Sequence, residues 1–454
     1  MSTNNPETTQ LESISAHTSN LRERRRAVTA SFLGTTVEYY DFLLYTAAAG
    51  LIFPALFFSN LEPGLATTLS FATLLAGYLT RPLGGILFGH FGDKVGRKKI
   101  LFITLMTMGV VSLGIGLMPT YATIGVTAPV LLVILRILQG IAVGGEWAGA
   151  TLMAMEHANE KSKGLAASFS AAGGPTGSVL ATLTLASFAS LPNEAFFSWG
   201  WRVPFLLSVV VVIIGLYMRS RVTESPEFEE ARQNGEVEKG APIKIVLTTY
   251  RKEVVLGALG GAASLFVQGL LAGFMVTYVS VIHGWLPRTD ALMMLTASSF
   301  LQIFTIPFFA WLSDKWGRKP VMLYAAICSA ILVWPMMALF NTGQPLLIFA
   351  AFMLGNPILQ ASMYGPVAAF ISEKFDTAAR YTGASLTFQT SSIIGAGIAP
   401  IIGATLTSET SGSNSLAIFM TALFIVSASA VWFSRETRPS ASRTRKFASF
   451  DKSR

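Results

Sequence analysis

The sequence predicts an all-α membrane protein with twelve transmembrane helices arranged as two six-helix bundles. Of its 454 residues 52% are hydrophobic and 13% are charged, whereas about 25% of residues are charged in a typical soluble domain. Apolar runs long enough to cross the hydrocarbon core of a bilayer, about 20 residues each, recur along the chain. A short charged turn occurs twice, at Gly92–Lys99 and Ser313–Pro320. Such a repeat indicates two related halves with a cleft between them.

The apolar runs give the order of the elements. The predicted spans lie near residues 29–57, 66–90, 99–118, 123–150, 164–190 and 202–218 in the first half, and 254–283, 289–311, 320–340, 345–371, 381–406 and 414–434 in the second. The corresponding domains are a polar, disordered cytoplasmic tail (1–27), the first bundle (28–218), a charged cytoplasmic linker (219–252), the second bundle (253–434) and a second cytoplasmic tail (435–454).

Basic residues in alternate loops predict the orientation. Lysine and arginine cluster in both repeated turns, in the linker and after the last span, whereas the loops around Asn60, Thr120 and Asn341 have almost none. Because basic loops remain in the cytoplasm, both termini are expected there. The net charge of +8 is then explained by topology and anionic lipid headgroups rather than by nucleic acid.

Composition also limits the kinds of chemical site that the chain can contain. Cys328 is the single cysteine, so no intramolecular disulfide is expected, and the four histidines do not cluster into a metal site. We predict no metal and no cofactor. Since no nucleophile–base–acid set or phosphate-binding loop is visible, we predict that the chain is not an enzyme, and we expect a monomer.

Five ionisable residues fall deep within predicted spans, all in the first half: Glu38, Asp41, Arg81, Arg136 and Glu146. Charge inside a membrane is costly and indicates function by default. Three acids against two arginines leave one negative charge, and burial beside a like charge favours the protonated form of a carboxylic acid. We therefore expect Asp41, Glu38 or Glu146 to couple transport to protons.

The two arginines receive different roles. Arg136 is predicted to clamp a substrate carboxylate, because the guanidinium fork matches that group. Arg81 is expected to neutralise a nearby acid. Glu146 has an alternative role as part of a structural charge network.

Neutral polar and aromatic side chains at similar depth are candidates for hydrogen bonds to a hydroxylated substrate. These candidates are Tyr39, Tyr45, Gln139, Trp147, Gln268, Tyr278, Asn356, Gln360, Tyr364 and Gln389. The alternative for each is that it joins helices by hydrogen bonds within the membrane.

The repeated turn resembles the signature loop of the major facilitator superfamily. In that family the loop charges and partners on neighbouring helices latch the cytoplasmic side closed. The residues expected in this latch are Asp93, Gly96 and Arg97 in the first copy, Asp314, Gly317 and Arg318 in the second, and Glu156, Glu373 and Arg380 at helix ends. The alternative is that these charges only fix topology.

Several motifs together resemble the metabolite:proton symporter family within that superfamily. They include Gly34-x-x-x-Glu38-Tyr-Tyr-Asp41-Phe42, Arg81-Pro82-Leu83-Gly84-Gly85, Arg136-Ile-Leu-Gln139-Gly140 and Arg380-Tyr381-Thr382-Gly383. The resemblance implies the major facilitator fold and proton-coupled import of a small organic acid by alternating access, in the inner (plasma) membrane of a bacterium. Among its members, those that carry shikimate are most similar, so shikimate or a related hydroxylated cyclic acid is the expected substrate.

Two features depart from this pattern. Tyr39 stands where the family often has tryptophan. Gly173-Gly174-Pro175-Thr176-Gly177 is similar to a motif of drug:proton antiporters, with close helix packing as the alternative explanation. A proton-coupled exporter therefore stays open as a second function, and a membrane solute sensor as a more distant third.

Overall fold

The computed structural model describes the backbone of residues 6–95, 97–156, 158, 162–220, 242–407 and 412–436, and its regular structure in these ranges is helical throughout. The first-half helices are α1 Pro6–Leu51, α2 Pro63–Val95, α3 Arg97–Leu117, α4 Thr127–Met155, α5 Lys163–Ala189 and α6 Arg202–Ser220. The second-half helices are α7 Arg251–Ile282, α8 Arg288–Trp316, α9 Arg318–Phe340, α10 Pro345–Ser372, α11 Ala379–Leu406 and α12 Gly412–Phe433. Short helical segments lie at Phe53–Phe57, Tyr121–Ile124, Asn193–Ala195, Phe196–Gly200 and Pro242–Thr249.

All twelve predicted spans coincide with helices. By length and composition, 8 helices of the described part can cross a membrane, or 9 if the pair Asn193–Gly200 and Arg202–Tyr217, bent by 42°, forms one span. The others are α1, whose apolar part carries Glu38 and Asp41, α3, whose described apolar part is Phe102–Leu117, and α5, which is rich in glycine, serine and threonine. The predicted all-helical membrane architecture is therefore confirmed.

The N-terminal segment differs from the prediction, and most of the linker and the C-terminal tail lie outside the described residues. Residues 6–27, predicted to be disordered, are helical backbone continuous with α1, which begins at Pro6. Proline suits a first helical turn, and the leucine, glutamate and arginine that follow are good helix formers. Residues 221–241 of the predicted linker and 437–454 of the predicted tail lie outside the described residues.

The helices pack as two groups of six. In the first half α1 packs on α5, α2 on α4 and α3 on α6; in the second, α7 packs on α11 and α12, α8 on α10, and α9 on α12. Contacts between the halves run mainly through α5 with α8, α2 with α11 and α1 with α7. The end of the molecule that carries the repeated turns is called the repeat end below.

Glycines allow α2 and α4 to cross at backbone contact. A Cβ atom added to Gly84 would lie 1.9 Å from the Ile141 carbonyl oxygen, and one added to Gly144 would lie 1.9 Å from the Arg81 carbonyl oxygen. This approach places Arg81, on α2, beside the point where α4 is interrupted at Gly145.

Three second-half helices contain π-helical turns, at Leu270–Met275 and Tyr278–Ile282 in α7, Gly355–Gln360 in α10 and Ile393–Gly397 in α11. Such turns often occur at functional sites. Here α7 and α11 meet where the first π-turn of α7 begins and near the end of the π-turn of α11, since a Cβ on Gly269 would lie 2.6 Å from the Ala396 carbonyl oxygen.

Candidate functional site

A small cavity lies where the two bundles meet. Its volume is ≈ 10 Å³, about the space of one water molecule. Its first-half wall is formed by Glu38, Tyr39, Phe42, Leu43, Thr46, Tyr78 and Arg81, and its second-half wall by Leu265, Gln268, Gly269, Ser392 and Ala396. We call this space the central cavity. An organic acid can occupy it only after the bundles separate.

Arg81 is the cation in the wall of the central cavity. Its side chain is 5% exposed, and its Nε atom is buried without a hydrogen-bond partner. The guanidinium carbon lies 4.3 Å from the centre of the Phe42 ring and 4.4 Å from that of Tyr78. Stacking on aromatic faces stabilises a guanidinium while leaving its edge free to donate hydrogen bonds.

Arg136 lies one layer behind that wall. Its guanidinium carbon is 4.5 Å from the centre of the Phe42 ring and 4.0 Å from that of Tyr45. Nη1 donates a 2.6 Å hydrogen bond to Gln139, while Nε and Nη2 are buried without partners. A Cβ on Gly77 would lie 2.7 Å from Arg136 Nε, so α2 needs glycine there. The sequence-predicted neighbours Tyr45 and Gln139 do surround Arg136.

Asp41 occupies the same interior region of the first bundle. It is 1% exposed, and neither carboxylate oxygen has a hydrogen-bond partner. Ser112 and Ser208 are close but outside hydrogen-bonding geometry, and Arg136 is close enough to act on Asp41 electrostatically. A carboxyl group and a guanidinium group are thus enclosed together, each with unused hydrogen-bonding capacity.

The other two interior acids are placed differently. Glu38, 3% exposed, lines the central cavity with Arg81. Glu146 is fully buried and begins the second part of α4, directly after the interruption at Gly145. Glu38 therefore faces the space between the bundles, whereas Glu146 belongs to the contact region nearer the repeat end.

That contact region joins α4 to α11. Side chains of α11 donate hydrogen bonds to carbonyl oxygens at the α4 interruption: Tyr381 to Gly145, and Ser385 at 3.1 Å and Gln389 at 3.4 Å to Gly144. Beside them the Trp147 and Phe388 rings stack with centres 3.7 Å apart. Tyr39 and Tyr364 hydroxyls meet at 3.2 Å between α1 and α10. These contacts close the central cavity toward the repeat end.

The opposite end is closed by α5 and α8. Thr182 and Thr296 hydroxyls are 2.6 Å apart, and Ser178 and Ser299 hydroxyls are 3.2 Å apart. The conformation is therefore occluded, with the cavity shut on both sides.

The remaining polar candidates of the second half divide by position. Gln268 lines the central cavity. Asn356 donates a 2.9 Å hydrogen bond to Ser298, and Gln302 donates one to Gln360, so these amides join α8 to α10 inside the second bundle. Tyr278 donates to Asn341 at 2.8 Å, close to His283 and Trp285. Tyr278, Asn356 and Gln360 were predicted to contact substrate, but they lie outside the wall of the central cavity.

The second repeated turn crosses between the bundles. Asp314 accepts hydrogen bonds from the backbone amides of Gly164 (3.1 Å) and Leu165 (2.8 Å), at the start of α5. Arg318, 1% exposed, contacts Asp314 at 2.6 Å and Glu373 at 3.1 Å. The cluster thus ties a second-half loop to a first-half helix terminus, where a negative charge is favourable.

Other residues predicted for the latch have different surroundings. Gly317 has φ of 106°, a conformation that favours glycine. Arg380 donates to the Phe375 carbonyl and does not join the ion pairs. Gly96, and the side chains of Asp93, Arg97 and Glu156, lie outside the described residues.

Some residues of these sites were not singled out from the sequence. Glu436 accepts hydrogen bonds from the backbone amides of Arg318 and Lys319 at 3.0 Å each and so caps α9. An acid directly after the last apolar run was the available signal. Phe42 lay inside a motif already noted, whereas nothing in the sequence marked Tyr78, Ser112 or Ser208.

Comparisons with known proteins identify the family. The model of the Major Facilitator Superfamily matches residues 31–389 and 258–453. The chain is 37% identical to the inner membrane metabolite transport protein YhjE of Escherichia coli K12 over 92% of this chain and 96% of that protein. It is 37% identical to the shikimate transporter of the same strain (90% and 94%) and 32% identical to its proline/betaine transporter (84% and 77%).

A solved structure shares the fold. The xylose transporter XylE of E. coli, in a partially occluded inward-open conformation, superposes with a TM-score of 0.71 at 19% identity, covering 92% of this chain and 100% of that one. With the family match and relatives above 30% identity along more than three quarters of their lengths, the chain belongs to the Major Facilitator Superfamily and is a membrane transporter rather than an enzyme.

Proposed function

We propose that this transporter is a proton-coupled symporter that imports a small carboxylated metabolite, shikimate or a related hydroxylated cyclic acid. The observation that carries the proposal is the enclosure of Asp41 and Arg136 together inside the first bundle, with both carboxylate oxygens and two guanidinium nitrogens unpartnered. The shikimate transporter among its relatives supports this choice of substrate.

Asp41 is the proposed proton carrier. A buried carboxylate without hydrogen bonds is strongly unfavourable unless it binds a proton or pairs with a cation. Both routes are open here, because Arg136 is the neighbouring cation. Protonation of Asp41 would release Arg136, and loss of the proton would draw the two groups together, which links the proton to the packing of α1 against α4.

Alternating access follows from the paired closures. The contacts of α4 with α11 and of Asp314 with α5 close the repeat end, and the contacts of α5 with α8 close the other. Opening one set while keeping the other exposes the central cavity to one side at a time. In this proposal the repeat end and both termini face the cytoplasm of a bacterial cell, and one chain forms the complete transport path.

The exporter alternative loses its main support. Cβ atoms on Gly173 and Gly177 would lie 2.6 Å from the carbonyl oxygens of Phe32 and Thr36. The glycines of this motif are therefore required for the packing of α5 against α1, which explains them without antiport.

Reconstitution into proteoliposomes tests the proposal. Vesicles with an alkaline interior and a more acidic exterior should accumulate radiolabelled shikimate above the external concentration, and a proton ionophore should abolish accumulation. The panel should include 2-oxoglutarate, proline and glycine betaine. Accumulation of none of these compounds under the gradient, or gradient-driven efflux in place of uptake, would refute the symporter.

A further inference from the structure

We infer that Arg81, rather than Arg136, binds the substrate carboxylate, and that the site selects monocarboxylates over dicarboxylates. This inference rests on the proposed function. From the sequence, Arg136 was expected to clamp the anion and Arg81 only to neutralise a neighbouring acid.

Position distinguishes the two arginines. Arg81 lines the central cavity, opposite Gln268 and Ser392 of the second bundle. Arg136 does not reach that wall, since Phe42 and Tyr78 line the cavity while Arg136 lies over Phe42 from the interior of the first bundle. A solute that enters between the bundles therefore meets Arg81 before any other interior arginine of the described chain.

Arg81 also has the hydrogen-bonding capacity that this assignment requires. Arg81 Nε is buried without a partner, and its guanidinium plane is held against the rings of Phe42 and Tyr78. A carboxylate that enters the cavity can accept from this edge in a charge-assisted hydrogen bond. Arg136 keeps two unpartnered nitrogens, Nε and Nη2, but it lies behind Phe42, beside Asp41, and donates from Nη1 to Gln139. Position, not unused capacity, therefore separates the two arginines.

The other groups of the cavity define the substrate class. Gln268, Ser392 and the Tyr39 hydroxyl are neutral hydrogen-bonding groups that suit a hydroxylated ring. Glu38 lies in the same wall as Arg81 and would repel a second carboxylate. One arginine beside one acid therefore suits one carboxylate, with the ring hydroxyls directed toward α7 and α11.

Direct binding of shikimate to purified protein tests the assignment. The variants are Arg81→Gln and Arg81→Lys, with Arg136→Gln for comparison. Arg202→Gln is the matched control, because Arg202 donates to the Gly116 and Met118 carbonyls away from the cavity. The probes are labelled shikimate, unlabelled shikimate methyl ester and 2-oxoglutarate as competitors, and folding is checked by size-exclusion chromatography.

Wild type should bind shikimate at least about tenfold more tightly than its methyl ester or 2-oxoglutarate. Loss of a charge-assisted hydrogen bond corresponds to about 10- to 100-fold in affinity. Arg81→Gln should lose that much for shikimate and no longer distinguish acid from ester, and Arg81→Lys should lose less. Arg136→Gln and Arg202→Gln should keep the preference for the acid.

The opposite pattern would overturn the inference. If Arg81→Gln retained wild-type affinity and the preference for the acid, or if Arg136→Gln alone abolished that preference, Arg81 would not be the carboxylate site. Equal wild-type affinity for 2-oxoglutarate would refute the selection of monocarboxylates. Failure of the wild type to bind or transport any organic acid would instead contradict the proposed function itself.

Discussion

Replacing Asp314 with asparagine should loosen the closure of the repeat end. Asp314 joins the two bundles by accepting from the Gly164 and Leu165 amides and by pairing with Arg318. Asparagine keeps one acceptor oxygen, so the variant loses one backbone hydrogen bond, worth about 1 kcal/mol, and a negative charge at a helix N-terminus, worth up to about 1 kcal/mol. The closed state should lose about 2 kcal/mol, which is roughly a 30-fold shift in the conformational equilibrium.

Thiol labelling measures this shift. Cys328 is the single cysteine and is exposed, so it is replaced by serine and a reporter is introduced as Ser385→Cys, a buried position at the contact of α11 with α4. The labelling rate of the reporter by a maleimide should rise by up to about 30-fold when Asp314→Asn is added. Asp290→Asn is the control, because this exposed acid lies in the first turn of α8 at the opposite end. Equal labelling rates with and without Asp314→Asn would refute the proposed latch.

Three further predictions concern coupling, packing and closure. Asp41→Asn should abolish gradient-driven accumulation of shikimate but preserve shikimate exchange across vesicles without a gradient; loss of both would show a binding defect instead. Gly84→Ala should lower the free energy of unfolding by about 1–3 kcal/mol, because the added Cβ would lie 1.9 Å from a backbone oxygen. Gly114→Ala is the control: its Cβ would have its nearest neighbour at 3.6 Å, so the melting temperature should not change. Tyr381→Phe removes one hydrogen bond to the α4 interruption, worth about 1 kcal/mol, and should raise the labelling rate of the thiol reporter about fivefold; an unchanged rate would contradict a role in closure.

The helical architecture was predictable because long apolar runs leave a chain in lipid few alternatives to helix. The interruptions inside the helices were not predictable from the sequence. The break after Gly144 lies where side chains of α11 donate to α4, and the π-turn at Ile393–Gly397 lies where α11 packs on α7. Residues 6–27 were expected to be disordered from their polar composition, yet their helix-forming residues extend α1.

The interior charges were predictable as a group, but their separate environments were not. Depth along a helix follows from residue number, so Asp41 and Arg136 were placed near the same level. Rotation about the helix axis was undetermined, because residues on many sides of these spans are apolar or small. It was therefore not predictable that Phe42 separates Arg136 from the central cavity. Nor did it show that Asn356 and Gln360 would join α8 to α10.

Direct detection of proton movement tests the central claim that substrate and proton are carried together. Proteoliposomes that contain a fluorescent pH indicator are given an outward-directed or inward-directed shikimate gradient, with no pH gradient imposed. An inward shikimate gradient should acidify the lumen of vesicles with wild-type protein, and Asp41→Asn should prevent that acidification. Shikimate entry without any change in internal pH in the wild type, or undiminished acidification with Asp41→Asn, would contradict the account.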